Sequence, residues 1–252
     1  MAPAAGRAII RRIIGGKGRA DVRGVLFDLD GTLLSIDLDA FLGRYFAALE
    51  EASRPLIAAS ADPRSFMRAL HDSTGSMMRE HPGRTNRDVF FDDLRAATGV
   101  DLREAWPIYE AFYREVFPTL GDTARPAPGA RRVIETALAL GLRVAVATNP
   151  IFPRIAVDHR MTWAGIADLG IEVVTTYETM QACKPHAAYF RQTADMLGIP
   201  PDRCMMVGDD RVLDMPAAEV GMRTFYVGPE AGVTADFSGT LDDLADLLPR
   251  LV

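Results

Sequence analysis

Five short apolar runs are spaced along the chain, and polar or glycine residues bound each of them. They cover residues 24–29, 143–148, 171–175, 203–207 and 223–227. Apolar positions at helical spacing lie between them, over residues 129–140, 153–163, 187–197 and 213–220. Short runs without polar alternation are typical of strands buried on both faces, and strands that alternate with helices are typical of a parallel sheet. The pattern therefore predicts a doubly wound α/β domain.

The segment between the first two of these strands breaks the alternation. It contains no convincing strand, and helical patterns cover residues 39–51, 65–78, 87–98 and 106–116. We therefore expect an all-helical domain at residues 37–125, inserted after strand 1. The Rossmann-like core then comprises residues 21–36 and 126–252.

Charge and cysteine content exclude several classes of protein. The net charge of −6 argues against nucleic-acid binding, which needs a basic face to displace counterions from phosphates. Two cysteines cannot build a disulfide framework, so we expect a cytoplasmic protein. No apolar run approaches the roughly 18–20 residues of a membrane span, so none is predicted. The sequence leaves the oligomeric state undetermined.

The first twenty residues differ in charge from the rest of the chain. Acidic residues are absent before Asp21, and the basic residues there are Arg7, Arg11, Arg12, Lys17 and Arg19. We interpret residues 1–20 as a basic N-terminal extension. An organelle transit peptide and a helix lying on a membrane surface are the alternatives, whereas a secretory signal would need a longer apolar stretch.

Polar side chains follow four successive predicted strands at their carboxyl ends. They are Asp28 and Asp30 after the first strand, Thr148 and Asn149 after the second, Lys184 beyond the third, and Asp209 and Asp210 after the fourth. Ligands of open parallel sheets bind at the carboxyl ends of the strands. The sequence thus predicts that carboxylates, a hydroxyl, an amide and an ammonium group meet at one edge of the sheet.

These motifs, in this order, resemble those of the haloacid dehalogenase (HAD) superfamily. The matching elements are DLDGT at 28–32, Thr148 after an apolar strand, Lys184 before a proline, VGDD at 207–210, and Asp214 downstream. The predicted helical insertion resembles the helical cap that members of this superfamily carry just after the first motif. The resemblance covers roughly residues 22–230 and implies a phosphatase-like hydrolase.

The resemblance also implies a role for each residue. Asp28 is expected to be the nucleophile that forms an aspartyl-phosphate, and Asp30 the general acid and base. Thr148 and Asn149 are expected at the substrate, where Thr148 donates to the phosphoryl oxygens and Asn149 helps to position the loop. Lys184 would contact the substrate and neutralise charge on the nucleophile and the phosphate.

Clustered carboxylates repel one another and an anionic substrate, so such a site needs a cation. Ligands that are all oxygen favour Mg²⁺. By the resemblance, the metal ligands are Asp28, Asp209 and the backbone carbonyl of Asp30. Asp210 and Asp214 are candidates for outer positions, where Asp214 would orient Lys184 or reach a water molecule on the metal.

These expectations together describe a Mg²⁺-dependent phosphomonoester hydrolase that acts on a small phosphorylated metabolite. A phosphosugar mutase with the same residues is the leading enzymatic alternative. A catalytically silent interaction module is the second alternative, and loss of Asp28 or Asp209 would be its usual mark. The physiological substrate is not predicted, although cap loops, such as that at residues 81–86, are where we expect specificity to reside.

Overall fold

A parallel sheet of six strands organises the chain in the computed structural model, which describes residues 21–228 and 232–252. The strands are β1 (Gly24–Phe27), β2 (Leu34–Ser35), β3 (Arg125–Pro126), β4 (Arg143–Val146), β5 (Val173–Val174), β6 (Cys204–Gly208), β7 (Arg223–Val227) and β8 (Phe237–Gly239). The main sheet has the order β5-β4-β1-β6-β7-β8 with every pairing parallel, and β2 and β3 form a separate antiparallel pair. The predicted basic extension at residues 1–20 lies outside the described residues.

Eight α-helices accompany these strands in the described part of the chain. They are α1 (Leu38–Ala59), α2 (Phe66–Ser76), α3 (Asn86–Thr98), α4 (Leu102–Ala111), α5 (Ala130–Ala139), α6 (Arg154–Trp163), α7 (Ala187–Leu197) and α8 (Leu241–Leu247). A π-helical turn at Phe112–Val116 and a 3₁₀ turn at Phe117–Thr123 continue from α4. Across the described residues, no helix combines the length and the apolar character that crossing a membrane requires.

The central strand β1 is buried on both faces. Val25 and Phe27 belong to the larger core cluster, which extends into the inserted helices, while Leu26 between them belongs to a second cluster with Tyr189 and Phe190 of α7. Successive side chains of a strand point to opposite faces, so helices on both sides of the sheet demand a continuous apolar run. This arrangement confirms the predicted doubly wound, Rossmann-like α/β core.

The register of the central strands brings their carboxyl ends together. Phe27, the last residue of β1, lies opposite Val146 of β4 and Val207 of β6. Since the strands are parallel, the residues that follow each of them leave the sheet at the same edge. The polar residues after β1, β4 and β6 therefore share one edge for a geometric reason.

Helices α1 to α4 form the helical cap, which is inserted between β2 and β3. The two linkers to the cap pair with each other as antiparallel strands, with Leu34 opposite Pro126 and Ser35 opposite Arg125. Ala127 adds a hydrogen bond from its N–H to the carbonyl of Leu33. The sequence pattern did not predict this pairing, because two residues per strand are too few to produce a periodic signal.

Several helix boundaries differ from the sequence prediction. Helix α1 ends at Ala59 rather than near residue 51 and contains Pro55, which lies on the exposed side where water can satisfy the carbonyl that the proline leaves unpaired. The helix predicted over 106–116 begins at Leu102 and changes to a π turn at Phe112. In place of a helix over 213–220, the structure has a 3₁₀ turn at Met215–Val220.

The last elements of the fold were not predicted at all. Strand β8 has only three residues, and helix α8 has only seven, so each lies below the length at which periodicity is informative. A local signal for α8 does exist, because Thr240 and Asp243 form a capping box at its start.

The cap packs on the core through a cluster of aromatic rings. Phe117, in the 3₁₀ turn after α4, stacks on Trp163 of α6 with ring centroids 5.4 Å apart and an interplanar angle of 12°. Phe41 of α1 meets the same indole ring edge-on at 6.0 Å. A β-carbon at Gly121 would lie 2.1 Å from the ring of Trp163, so the backbone there approaches the indole as closely as glycine allows.

We therefore expect Gly121→Ala to destabilise the protein by about 1–3 kcal/mol, because the added methyl group overpacks this contact. The control is Gly43→Ala on the exposed side of α1, where a β-carbon meets no atom within 4 Å. That substitution should raise the free energy of unfolding by roughly 0.5–1 kcal/mol, since alanine favours a helix over glycine. Urea denaturation of both variants measures the difference. A Gly121→Ala protein as stable as the wild type would contradict the close packing of cap on core.

Candidate active site

A buried lysine joins two carboxylates at the carboxyl edge of the sheet. The Nζ of Lys184 donates to Oδ1 of Asp28 at 2.6 Å and to Oδ1 of Asp214 at 2.7 Å. All three side chains are buried. Burial alone would lower the pKa of Lys184, but the adjacent charges of Asp28 and Asp214 outweigh it and raise that pKa above its ordinary value. The ammonium group is therefore protonated and balances part of the negative charge of the cluster.

The loop that carries Lys184 is held by the end of β4. The backbone N–H of Lys184 donates to Oδ1 of Asn149 at 3.1 Å. Lys17 is the only other lysine in the chain. A compact ammonium can sit between two carboxylates where a planar guanidinium would need more room. Asn149 thus fixes the backbone position of Lys184.

The turn after β1 packs directly against the loop after β6. Gly31 has a φ of +88°, and a β-carbon there would lie 2.3 Å from Oδ2 of Asp209. Thr32 donates from Oγ1 to Oδ1 of Asp209 at 2.8 Å. Glycine is needed at residue 31 both for its backbone conformation and for this approach. The DLDGT turn therefore orients Asp209 as well as presenting Asp28.

Asp214 lies beneath the loop that follows β6. A β-carbon at Gly208 would lie 2.1 Å from Oδ2 of Asp214, so the glycine leaves space for that carboxylate. The N–H of Asp210 donates to the same oxygen at 3.1 Å. The side chain of Asp210 instead accepts from the N–H of Val212 at 2.7 Å, which caps the following turn. Asp214 thus contacts Lys184, and Asp210 shapes the loop.

Three carboxylates are close enough to hold a cation. One oxygen each of Asp28, Asp209 and Asp214 lie within 4.8 Å of one another. Both oxygens of Asp214 already accept hydrogen bonds, from Lys184 and from the backbone of Asp210. Burial and the charge of Asp28 raise the pKa of Asp209, with the hydrogen bond from Thr32 opposing them. A donor set made only of oxygen with this charge fits Mg²⁺ bound by Asp28 and Asp209.

Asp30 contacts an arginine from outside this cluster. Its Oδ2 accepts from Nη1 of Arg160, on α6, at 2.5 Å. The other oxygen, Oδ1, is buried and has no hydrogen-bond partner among the described residues. Burial raises the pKa of Asp30, and the positive charge of Arg160 opposes that effect. One oxygen of Asp30 is therefore anchored by Arg160, and the other is not anchored by any described residue.

Thr148 lies two residues after the end of β4, and two side chains from the core hold its backbone. Its carbonyl accepts from Oγ1 of Thr175 at 2.6 Å and from the hydroxyl of Tyr189 at 3.0 Å. The residue is buried. Since both donors are themselves buried, the conformation of the loop after β4 is closely defined.

The family of haloacid dehalogenase-like hydrolases matches residues 22–221. The chain belongs to this family. The match confirms the resemblance inferred from the motifs, and it spans β1 to β6, the cap and every residue of the site described above.

Relatives of this hydrolase include named phosphatases. The chain is 28% identical to a phosphoglycolate phosphatase of Shigella boydii serotype 4 (strain Sb227), over 92% of this chain and 93% of the relative. It is 33% identical to the haloacid dehalogenase-like hydrolase domain-containing protein 3 of Xenopus laevis, and that match spans about half of each protein, 50% of this chain and 52% of the relative. The crystal structure of a HAD phosphatase from Thermococcus onnurineus shares the fold, with a TM-score of 0.56 and 21% identity over 90% of this chain and 98% of that one.

The sequence reasoning missed several residues that shape the site of this hydrolase. They are Thr32, Arg160, Thr175 and Tyr189. Thr32 lies within the first motif, so the motif could have indicated that this residue lies close to Asp209. Arg160 also had a signal, because it shares the buried face of α6 with Ala156, Val157 and Met161, where a charged residue demands a partner. Thr175 and Tyr189 carried no signal that separates them from ordinary core residues.

An apolar cavity of about 70 Å³ lies between the cap and the core of the hydrolase. Its lining includes Tyr45, Phe46, Phe90, Tyr109 and Tyr113 from the cap and Ile151, Phe152 and Tyr177 from the core. Three of the cap hydroxyls are already used, since those of Tyr45 and Tyr113 bond to each other and that of Tyr109 bonds to Ser53. The cap aromatics therefore form both a packed core and the wall of this cavity.

The loop at residues 81–86 fastens the cap to the core. The N–H of His81 donates to the carbonyl of Gln181, and that of Asn86 donates to the carbonyl of Met180, each at 2.8 Å. The buried amide of Asn86 also donates to the carbonyl of Pro150 at 3.0 Å. These bonds place the loop beside the segment just before Lys184. That the loop determines substrate specificity stays a prediction.

Proposed function

We propose that this hydrolase removes the phosphoryl group from a small phosphorylated metabolite by way of an aspartyl-phosphate on Asp28, with Mg²⁺ as its cofactor. The observation that carries the proposal is the buried arrangement of Lys184 between Asp28 and Asp214, with Asp209 alongside. A nucleophilic carboxylate, an adjacent ammonium and a second carboxylate for a cation are the groups that transfer of a phosphoryl group requires.

The first chemical step is attack on phosphorus by Asp28. One of its oxygens accepts from Lys184, which holds the carboxylate in one orientation while the other oxygen attacks. The P–O bond to the leaving group breaks as the new bond forms, and Asp30 gives a proton to the departing oxygen. Lys184 and the hydroxyl of Thr148 are the groups that we assign to the phosphoryl oxygens.

The second step returns Asp28 to its free form. Asp30, now ionised, takes a proton from a water molecule that attacks the phosphorus of the aspartyl-phosphate, and phosphate leaves. The residues that would hold Mg²⁺ are Asp28, Asp209 and the backbone carbonyl of Asp30. When bound, the ion supplies positive charge that lets a phosphate approach these carboxylates. Asp214 acts by holding Lys184 in place, and Asp210 by closing the loop above it.

The substrate class rests on the site and on the relatives. Phosphoglycolate phosphatase is the name of a relative that matches over nearly the whole chain, and its named substrate is a small phosphorylated acid. Asp28 and Asp209 are both present, whereas a catalytically silent module would lack one of them. The two buried cysteines are free thiols, and we retain the cytoplasm as the compartment.

The experiment that tests this proposal is phosphate release from a panel of small phosphorylated metabolites, measured with Mg²⁺ and with EDTA. We expect release with Mg²⁺ and a fall of at least about 10²-fold after chelation, because the carboxylates then repel the phosphate without compensation. Activity should return when Mg²⁺ is added back. Release that is equal with and without chelator would contradict the metal requirement.

A further inference from the structure

Arg160 is the charged residue that lies closest to the proposed acid and base but has no role in the scheme above. Its side chain is only 2% exposed, although it projects from a helix face that is otherwise apolar. A guanidinium group in such a place is strongly disfavoured unless an anion and hydrogen-bond acceptors surround it. The position of its partner therefore indicates what the arginine does.

Asp30 is the only carboxylate within ion-pair distance of Arg160 in the described ranges 21–228 and 232–252. The contact is a 2.5 Å hydrogen bond from Nη1 to Oδ2 of Asp30. The guanidinium carbon also lies 4.5 Å from the ring centroid of Phe152, so the aromatic face supports the group from a second side. Nε and Nη2 of Arg160 are buried without a hydrogen-bond partner among the described residues, so the ring of Phe152 and the carboxylate of Asp30 are the contacts that hold the group.

The two oxygens of Asp30 have different surroundings. Oδ2 is anchored by Arg160, whereas Oδ1 is buried without a hydrogen-bond partner in the part of the chain that the structure describes. When one oxygen of a carboxylate is anchored, the other oxygen is held in one orientation. That is the arrangement that delivery of one proton to one leaving oxygen requires.

We propose that Arg160 is a positioning residue, which holds Asp30 so that its free oxygen gives the proton to the leaving group. The inference rests on the proposed function. In the step concerned, an oxygen of Asp28 bonds to phosphorus, the P–O ester bond breaks, and the proton of Asp30 passes to the oxygen that leaves. Arg160 itself transfers nothing and does not contact the phosphate in this scheme.

The test compares two aryl esters whose leaving groups differ in their need for a proton. Phenyl phosphate releases a basic phenolate that needs protonation, whereas 4-nitrophenyl phosphate releases a stabilised anion that does not. The quantity measured is kcat/KM, which reports the steps up to formation of the aspartyl-phosphate and omits its later hydrolysis. A variant that no longer positions Asp30 should therefore show a reduced kcat/KM for phenyl phosphate alone.

In Arg160→Met we expect kcat/KM for phenyl phosphate to fall by about 10- to 100-fold, because displacement of a catalytic group by an ångström has this effect. The value for 4-nitrophenyl phosphate should change by less than about 3-fold, since general acid catalysis contributes little to its cleavage. The ratio of kcat/KM for 4-nitrophenyl phosphate to that for phenyl phosphate therefore rises in Arg160→Met, and Asp30→Asn should raise this ratio at least as much. Arg160→Lys, which keeps the charge but not the planar fork, should raise it less than Arg160→Met.

The matched control is Arg154→Met on the same helix. Arg154 pairs with Asp158 on the exposed surface of α6, away from Asp30, so neither ester should be affected. Circular dichroism shows whether each variant folds, and Arg160→Lys alone decides the question if Arg160→Met does not fold. An equal fall for both esters in the folded variants, or no fall for either, would overturn the inference.

The same assay separates this inference from the function on which it rests. If the wild-type protein releases no phosphate from either ester, or if the release does not depend on Asp28, both proposals are overturned. Wild-type release that depends on Asp28, together with an unchanged ester ratio in Arg160→Met and Arg160→Lys, would overturn the role of Arg160 alone. A raised ratio in the arginine variants and in Asp30→Asn supports the inference.

Discussion

The Asp28→Asn variant is expected to lose phosphate release by at least about 10⁴-fold, which is the scale of loss when a covalent nucleophile is removed. An amide oxygen does not attack phosphorus as a carboxylate does, so no aspartyl-phosphate forms. The fold should persist because asparagine has the same shape and Lys184 keeps Asp214 as an ionic partner. The measurement is release of phosphate with Mg²⁺ present, from the best substrate of the metabolite panel.

A second Asp→Asn change serves as the control for Asp28. Asp37 caps helix α1 by accepting from the N–H of Ala40, and asparagine caps a helix equally well. Asp37→Asn should therefore keep wild-type activity and stability. If Asp28→Asn also kept its activity, the covalent mechanism would be wrong. Acid-quenched wild-type protein should contain a phosphoryl group that hydroxylamine removes, and Asp28→Asn should contain none.

Replacement of Lys184 by methionine should have the largest effect on stability. The substitution leaves Asp28 and Asp214 buried without their shared cation, and breaking a buried ion pair costs about 3–5 kcal/mol. Activity should also be lost, because the phosphate would meet two unbalanced carboxylates. Urea denaturation without metal gives the change in the free energy of unfolding.

The loss in Lys184→Met should depend on pH in a defined direction. Burial raises the pKa of Asp214 above its ordinary value even in the wild type, and removal of the ammonium raises it further. A carboxyl group whose pKa is higher in the folded than in the unfolded state favours folding at low pH, and this contribution is lost as the pH rises through the folded value. The variant should thus be closest to wild type near pH 4 and furthest from it near pH 8.

A double variant checks that the effect is electrostatic. Lys184→Met combined with Asp214→Asn leaves one buried carboxylate instead of two, so it should regain part of the lost stability at pH 8. A double variant as unstable as the sum of the two single changes would indicate that packing, and not charge, is the cause.

The pattern of apolar residues was sufficient to predict the longer strands and helices. Continuous apolar runs predicted β1, β4, β6 and β7, because a strand buried on both faces admits few polar residues. The bounds of α7 agree with the helical pattern over 187–197. Among the shortest strands, β2, β3 and β8 escaped the pattern because the partner strand and not the local sequence creates them, whereas β5 lies within the apolar run at 171–175.

In the candidate site as well, some features could be inferred from the sequence and others could not. The order of the strands and the rule that parallel strands end at one edge were enough to group Asp28, Lys184 and Asp209 from the sequence. The same reasoning could not show that Asn149 holds the backbone of Lys184, since that contact depends on how two loops fold against each other.

The sequence by itself determined the fold class, the helical insertion and the residue types at the edge of the sheet, because periodicity and motif spacing are local properties of the chain. Only the tertiary structure decided that Asp214 contacts Lys184 directly and that Arg160 pairs with Asp30. Lys184 binds Asp28 and Asp214, and Arg160 binds Asp30 from 130 residues away, on a helix that reaches the site only when it packs against the sheet. Such contacts form where burial removes water and each charge needs an ionic partner within the protein, and that depends on the whole fold.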